Sequence, residues 1–127
     1  MKSLTVSELR VMVDVDDLRK VRHFYLDLLG VTERTLDDPE DGIAMFELGE
    51  GRVIEFFEES TKERPTVELS LEVEDVTALW KKLEGAATIV FPLRHNSWGD
   101  TSFAVKDPAG CTLTFFTRDE KREFPSS

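Results

Sequence analysis

A single cysteine in 127 residues excludes any internal disulfide. Cys111 stands in Gly110-Cys111-Thr112-Leu113, a strand-like setting, and reads as a small apolar filler. No apolar run approaches the ~18 residues of a membrane span, and no basic-then-apolar leader precedes the domain, so the expectation is a cytoplasmic chain with no membrane partner. Basic residues are in the minority, 16 against 26 acidic ones, and the net charge of −10 repels phosphate backbones and anionic lipid alike. Nucleic acid is therefore excluded as an expected partner. Histidine occurs twice, and there is no Gly-rich phosphate loop, no nucleophile elbow and no zinc-spaced Cys/His cluster. What is present, 40% hydrophobic and 33% charged residues, is the composition of one ordinary globular domain covering residues 1–127. A chain of this length buries roughly two-thirds of its unfolded surface and needs no staple to fold.

Two stretches alternate at period two. In Leu9-Arg10-Val11-Met12-Val13-Asp14-Val15 the odd positions are aliphatic, and Val67-Glu68-Leu69-Ser70-Leu71-Glu72-Val73 repeats the pattern, so each is a half-buried strand. Each leads into an amphipathic helix. Asp16 or Asp17 can cap the first, which carries Leu18, Val21, Tyr25, Leu28 and Leu29 and stops at Gly30. Asp75 can cap the second, which carries Val76, Leu79, Trp80 and Leu83 and ends at Gly85. Three extended segments follow each helix, near 31–37, 43–49 and 52–58 and then near 87–93, 101–106 and 111–117. Asp37–Gly42, Gly49-Glu50-Gly51, His95–Gly99 and Asp107-Pro108-Ala109-Gly110 supply the turns.

The order is thus βαβββ, twice. Val13–Leu18 aligns with Leu71–Val76 at an offset of 58, and Gly51–Glu58 with Gly110–Thr117 at an offset of 59. This is an internal repeat of roughly 60 residues. Module one covers about 4–60 and module two about 65–118, with the break at Ser60–Pro65 and a loose polar tail at 119–127. The fold class is α+β. Each four-stranded sheet offers one apolar face to its helix and curls the other into a cup, and pairing two such sheets gives a curved eight-stranded open barrel, helices outside and a ligand cleft inside. In that geometry Phe56 and Phe115 face the helices, while Phe57 and Phe116, in the opposite phase, face the cup with Met12.

Phe24-Tyr25-Leu26-Asp27-Leu28-Leu29-Gly30, preceded by Val15-Asp16-Asp17-Leu18, resembles the vicinal oxygen chelate superfamily, which includes glyoxalases, bleomycin-resistance proteins and extradiol dioxygenases. Trp98-Gly99, Phe103-Ala104-Val105, Asp107-Pro108-Ala109-Gly110 and Leu113-Thr114-Phe115-Phe116 extend the resemblance from about residue 5 to 118. It implies four inward strand positions which, in metal-dependent members, hold one divalent cation. Here they fall on Arg10, Glu55, Glu68 and Thr114, and the repeat offsets pair Arg10 with Glu68 and Glu55 with Thr114. A guanidinium has no lone pair to give and threonine is a poor ligand. Two carboxylates, Glu55 and Glu68, are then the whole donor set, short of the usual three protein ligands. The expectation is no metal and no cofactor, with Arg10 in the metal's place and paired with Glu55 or Glu68; as a plainer alternative, all four line a wet sheet face. His23, within the first helix, and His95, in a loop, add nothing to the set.

The resemblance is closest to the metal-free, bleomycin-resistance-like branch, and it implies a homodimer that binds a small, flat aromatic or cationic molecule. Arg10, Met12, Glu55, Phe57, Glu68, Trp98, Thr114 and Phe116 are the expected lining. Trp98 is the stacking platform, or else a loop anchor packed on its own sheet. Asp38 and Glu40 can meet a cationic group, or are simply solvated loop charges. The alternatives are a divalent-metal lyase or dioxygenase that uses Glu55 and Glu68, and an inactive regulatory or assembly module.

Overall fold

The computed structural model describes residues 8–36, 42–59 and 67–120. Asp38, Glu40, the module break and residues 121–127 lie outside them. The chain divides into two compact units, one ahead of Pro65 and one from Pro65 onward.

In the first unit β1 (Leu9–Val15) leads to helix α1 (Leu18–Arg22), which widens into a π-helical segment, His23–Leu28. The strands β2 (Thr32–Glu33), β3 (Ile43–Glu47) and β4 (Arg52–Glu58) complete a sheet of order β1-β4-β3-β2. The second unit has β5 (Glu68–Glu72), helix α2 (Val76–Leu83), β6 (Thr88–Asn96), β7 (Asp100–Lys106) and β8 (Thr112–Arg118), in the order β5-β8-β7-β6. Both sheets are mixed. The first strand of each runs parallel to the last, β1 with β4 and β5 with β8, and the remaining pairs are antiparallel. The βαβββ order is therefore realised twice, with the same strand permutation.

The repeat extends to the helix starts. Asp17 caps α1 by accepting from the Arg19 N–H at 2.9 Å, and Asp75 caps α2 by accepting from the Ala78 N–H at 3.0 Å. A second exposed N–H in each helix is met from the end of the parallel strand. Glu58 accepts from Leu18 N–H at 2.9 Å, and Thr117 Oγ1 accepts from Val76 N–H at 3.0 Å while donating to the Val73 carbonyl at 2.8 Å. Glu58 and Thr117 are equivalent residues of the repeat. The side chains differ, but each satisfies a helix N–H that would otherwise lack a partner.

Each core lies between one sheet and its helix. In the first unit Val13, Val15, Leu18, Val21, Ile54 and Phe56 are buried around Tyr25, whose ring stacks on Phe46 at 5.3 Å and 16° and meets Phe56 at 5.3 Å. In the second, Phe103 lies against Trp80 at 5.3 Å and Phe115 at 5.4 Å, with Leu83, Val105 and Leu113 buried beside them.

Two segments differ from the sequence expectation. The strand expected over 31–37 is two residues long, Thr32–Glu33; Arg34 N–H still donates to the Met45 carbonyl of β3 at 2.8 Å, while its side chain reaches the Glu8 and Glu47 carboxylates. The strand expected to end at 93 continues to Asn96, so His95 lies in β6 and the turn shrinks to Ser97-Trp98-Gly99. Gly99 makes that tight turn possible: its φ of +104° is a conformation that side chains with a Cβ rarely adopt.

Candidate functional site

In each unit the sheet face turned away from the helix carries the candidate residues. On the first sheet that face presents Arg10, Met12 and Asp14 from β1, then Val53, Glu55 and Phe57 from β4, with Met12 opposite Glu55. Arg10 does not pair with Glu55. Register sets it beside Val53, and its guanidinium donates to Glu8, two residues back on the same face. Glu8 also accepts from Arg34, which donates to Glu47 at 2.8 Å. Arg34 first, and then Arg10, hold the Glu8 carboxyl down at about 2. Met12 is 64% exposed, whereas Glu55 is only 9% exposed and has no hydrogen-bond or ion-pair partner among the described residues. Phe57 is half-buried.

The first unit also has a hollow of about 1010 Å³ beside the start of α1. Its arginines are all paired, Arg19 with Asp17, Arg22 with Glu33, and Arg34 with Glu8 and Glu47, and Asp16 and Glu58 add two more carboxylates to the lining. It offers no aromatic face.

The second sheet carries a smaller cavity of about 260 Å³, and here the aromatic groups gather. Phe116 and Thr114 come from β8, with Ser70 opposite Thr114 on β5 and Ser102 opposite Phe116 on β7. Trp98, from the β6–β7 turn, is 73% exposed, so it is not packed away as a loop anchor. Its indole edge is nevertheless fixed. Nε1 donates to Asp100 Oδ2 at 3.1 Å, and Asp100 Oδ1 accepts from Asn96 Nδ2, which also donates to Ser102 Oγ, both at 2.8 Å. Hydrogen bonds orient the ring and leave its face open.

The remaining wall comes from β6, in residues that the alternation did not reveal. Ile89 pairs with Val105, Phe91 with Ala104 and Arg94 with Ser102, so one extra residue is inserted on each side of Phe91. These two β-bulges first turn Phe91 onto the cavity face and then restore the phase, which places Arg94 on that face as well. Pro92, between them, is tolerated because β6 is an edge strand. The Arg94 guanidinium carbon lies 3.9 Å from the Phe91 ring centroid. Strict alternation directs Phe91 away from the cavity, so its role was hidden. Asp100 and Ser102 share the phase of Ala104, and that signal was available.

Of the expected lining, then, the second sheet brings Trp98, Thr114 and Phe116 together. Glu68 is exposed at the start of β5, opposite Thr112, and does not line the cavity. The residues at the four family positions do not fit a three-ligand transition-metal site. Each sheet contributes one carboxylate and one non-ligand, and among the described residues no three His, Cys, Asp or Glu side chains come together as a metal-binding group. The histidines are engaged elsewhere, His23 with Asp27 and His95 with Asp119, each at 2.9 Å.

No helix of the described residues is long and apolar enough to cross a membrane. No curated protein matches the sequence. Among solved structures, TioX from Micromonospora sp. ML1 superposes with a TM-score of 0.74 at 17% identity, covering 88% of this chain and 98% of that one. TnmS3, an antibiotic binding protein from Streptomyces sp. CB03234, gives 0.71 at 20% identity over 93% and 98%. A lactoylglutathione lyase from Agrobacterium tumefaciens gives 0.69 at 17% identity over 90% and 95%. At such identities these likenesses carry the fold alone, and a binding protein and a lyase share it equally. The sequence itself goes further: the profile of the Glyoxalase/Bleomycin resistance protein/Dioxygenase superfamily matches residues 9–115, and the chain belongs to that superfamily.

Proposed function

We propose that this chain is a binding protein that holds a small, flat aromatic molecule against Trp98 on the second sheet, without a metal. The observation that carries the reading is the indole itself: an exposed face, an edge fixed by Asp100, and Phe91 and Phe116 lining the same cavity. An aromatic ring left open to water but held in one orientation is preorganised for stacking, so little ordering cost remains to be met on binding. The cavity of about 260 Å³ is below the range of about 300–1,000 Å³ typical of drug-sized ligands, which favours a ligand of one or two fused rings. TnmS3, of the same fold, is an antibiotic binding protein and lends the reading support by analogy.

The test is calorimetric titration with a panel of one- and two-ring planar aromatics. Trp98→Ala is expected to weaken the best binder by about 10- to 100-fold, as removal of a central aromatic anchor does. Equal affinity in the variant, or no binding across the panel, sinks the proposal. The reading includes a homodimer, in which a second copy would cover exposed apolar side chains such as Leu9 and Met12. Light scattering should then give twice the 14.5 kDa chain mass, and a monomer at micromolar concentration would remove that part.

A further inference from the structure

We infer that the ligand of this cavity is an aromatic anion, and that Arg94 receives its charge. The inference rests on the aromatic-binding reading above and adds the chemical class. Arg10, Arg19, Arg22, Arg34 and Arg118 each pair with a carboxylate. In a chain with 26 acidic residues that is the ordinary fate of an arginine. Arg52 and Arg94 depart from it, and of the two only Arg94 lines the cavity: among the described residues no carboxylate pairs with it, and its one specific contact is the face of Phe91. The contact seats the guanidinium over the Phe91 ring, and no hydrogen bond among the described residues occupies its N–H donors, the fork that matches a carboxylate.

The rest of the lining agrees. Asp100 is the cavity's acidic residue; each of its oxygens already accepts one hydrogen bond, from Asn96 and from Trp98, so it positions the indole. Ser70, Ser102 and Thr114 are neutral. The lining holds one anion, Asp100, committed to Asn96 and Trp98, and one cation, Arg94, with no carboxylate partner among the described residues and beside an open aromatic face. Its volume suits a planar acid of one or two rings.

Three probes that share one ring system and near-equal shape but differ in charge separate the possibilities: 2-naphthoate, 2-naphthamide and 2-naphthamidine, titrated calorimetrically at low salt. The anion is expected to bind at least about tenfold more tightly than the amide, with a gap that narrows at high salt as screening increases. Arg94→Gln should close the gap between the anion and the amide; Arg94→Lys, which keeps the charge but loses the fork, should leave a gap of intermediate size. Arg94 is exposed, so these variants leave both cores untouched. If the amide or the amidine equals or exceeds the anion in the parent, and that binding still depends on Trp98, the charge assignment is overturned and the aromatic-binding reading stands. If none of the three binds at millimolar concentration, both are overturned.

Discussion

Replacing Phe56 by alanine is expected to destabilise the protein by about 3–5 kcal/mol, the usual cost of emptying a fully buried phenylalanine site. The ring is 0% exposed and packs on Tyr25 and Phe46, themselves buried, so no side chain can swing in from solvent to fill the space. For a chain of this size the loss corresponds to roughly 10–20 °C in Tm, read by far-UV circular dichroism. Phe57→Ala is the internal control. It removes the same ring one residue later, from the half-buried opposite face, and should cost well under half as much. If the two variants melt alike, the strand is out of phase and every assignment of side chains to the two faces of the first sheet fails with it.

That contrast also explains why the fold could be read from the sequence. Alternation in Val11-Met12-Val13-Asp14-Val15 is enforced by a sheet with one dry face, so burial of Val13 and Val15 and exposure of Met12 follow from the pleat alone. The helix starts were legible because Asp17 and Asp75 act locally, within two or three residues of their own positions. The helix N–H contacts from Glu58 and Thr117 were not, since they depend on which strand lies parallel to which. The repeat aligned the two residues without showing what they touch.

The candidate site was legible in proportion to how regular its strands are. Thr114 and Phe116 lie on an uninterrupted strand and were placed by counting in twos, and Trp98 announced itself by standing in a polar turn beside Gly99. Phe91 stayed hidden because a bulge resets the count, and nothing in Ile89-Val90-Phe91-Pro92-Leu93 marks which residue is the extra one. The pairing expected for Arg10 was wrong for a related reason. The face was right, but the β1–β4 register sets Met12, not Arg10, opposite Glu55, and Glu8 was already within reach. Face is a local property of the chain, whereas register and ion-pair choice depend on what the neighbouring strand brings. The two units therefore share a fold and differ in chemistry. The first sheet's outer face carries a charge network built on Glu8, and the second carries an aromatic cavity.

The thiol of Cys111 is expected to react with iodoacetamide at pH 8 at least about a thousandfold more slowly in the native protein than in the urea-unfolded chain. The nucleophile is the thiolate, and burial, assisted by the nearby Asp107 carboxylate, pushes this thiol up from 9.0 to about 12. That rise alone removes about this factor of thiolate at pH 8, before access is considered. Access then slows the reaction further, because the side chain is 1% exposed and sits at the turn that Asp107 closes by accepting from the Ala109 and Cys111 N–H groups at 2.9 and 2.8 Å. Linkage fixes the sign of the accompanying pH effect. The folded pKa is raised, so the contribution to stability is intact below about 9 and is lost as the pH climbs toward 12, where the unfolded chain gains by ionising first. Alkylation followed by mass spectrometry measures the rate directly. A native rate within tenfold of the unfolded one would mean that the Asp107-Pro108-Ala109-Gly110 turn opens readily, and that Cys111 is a reactive surface thiol and not part of the second unit's core.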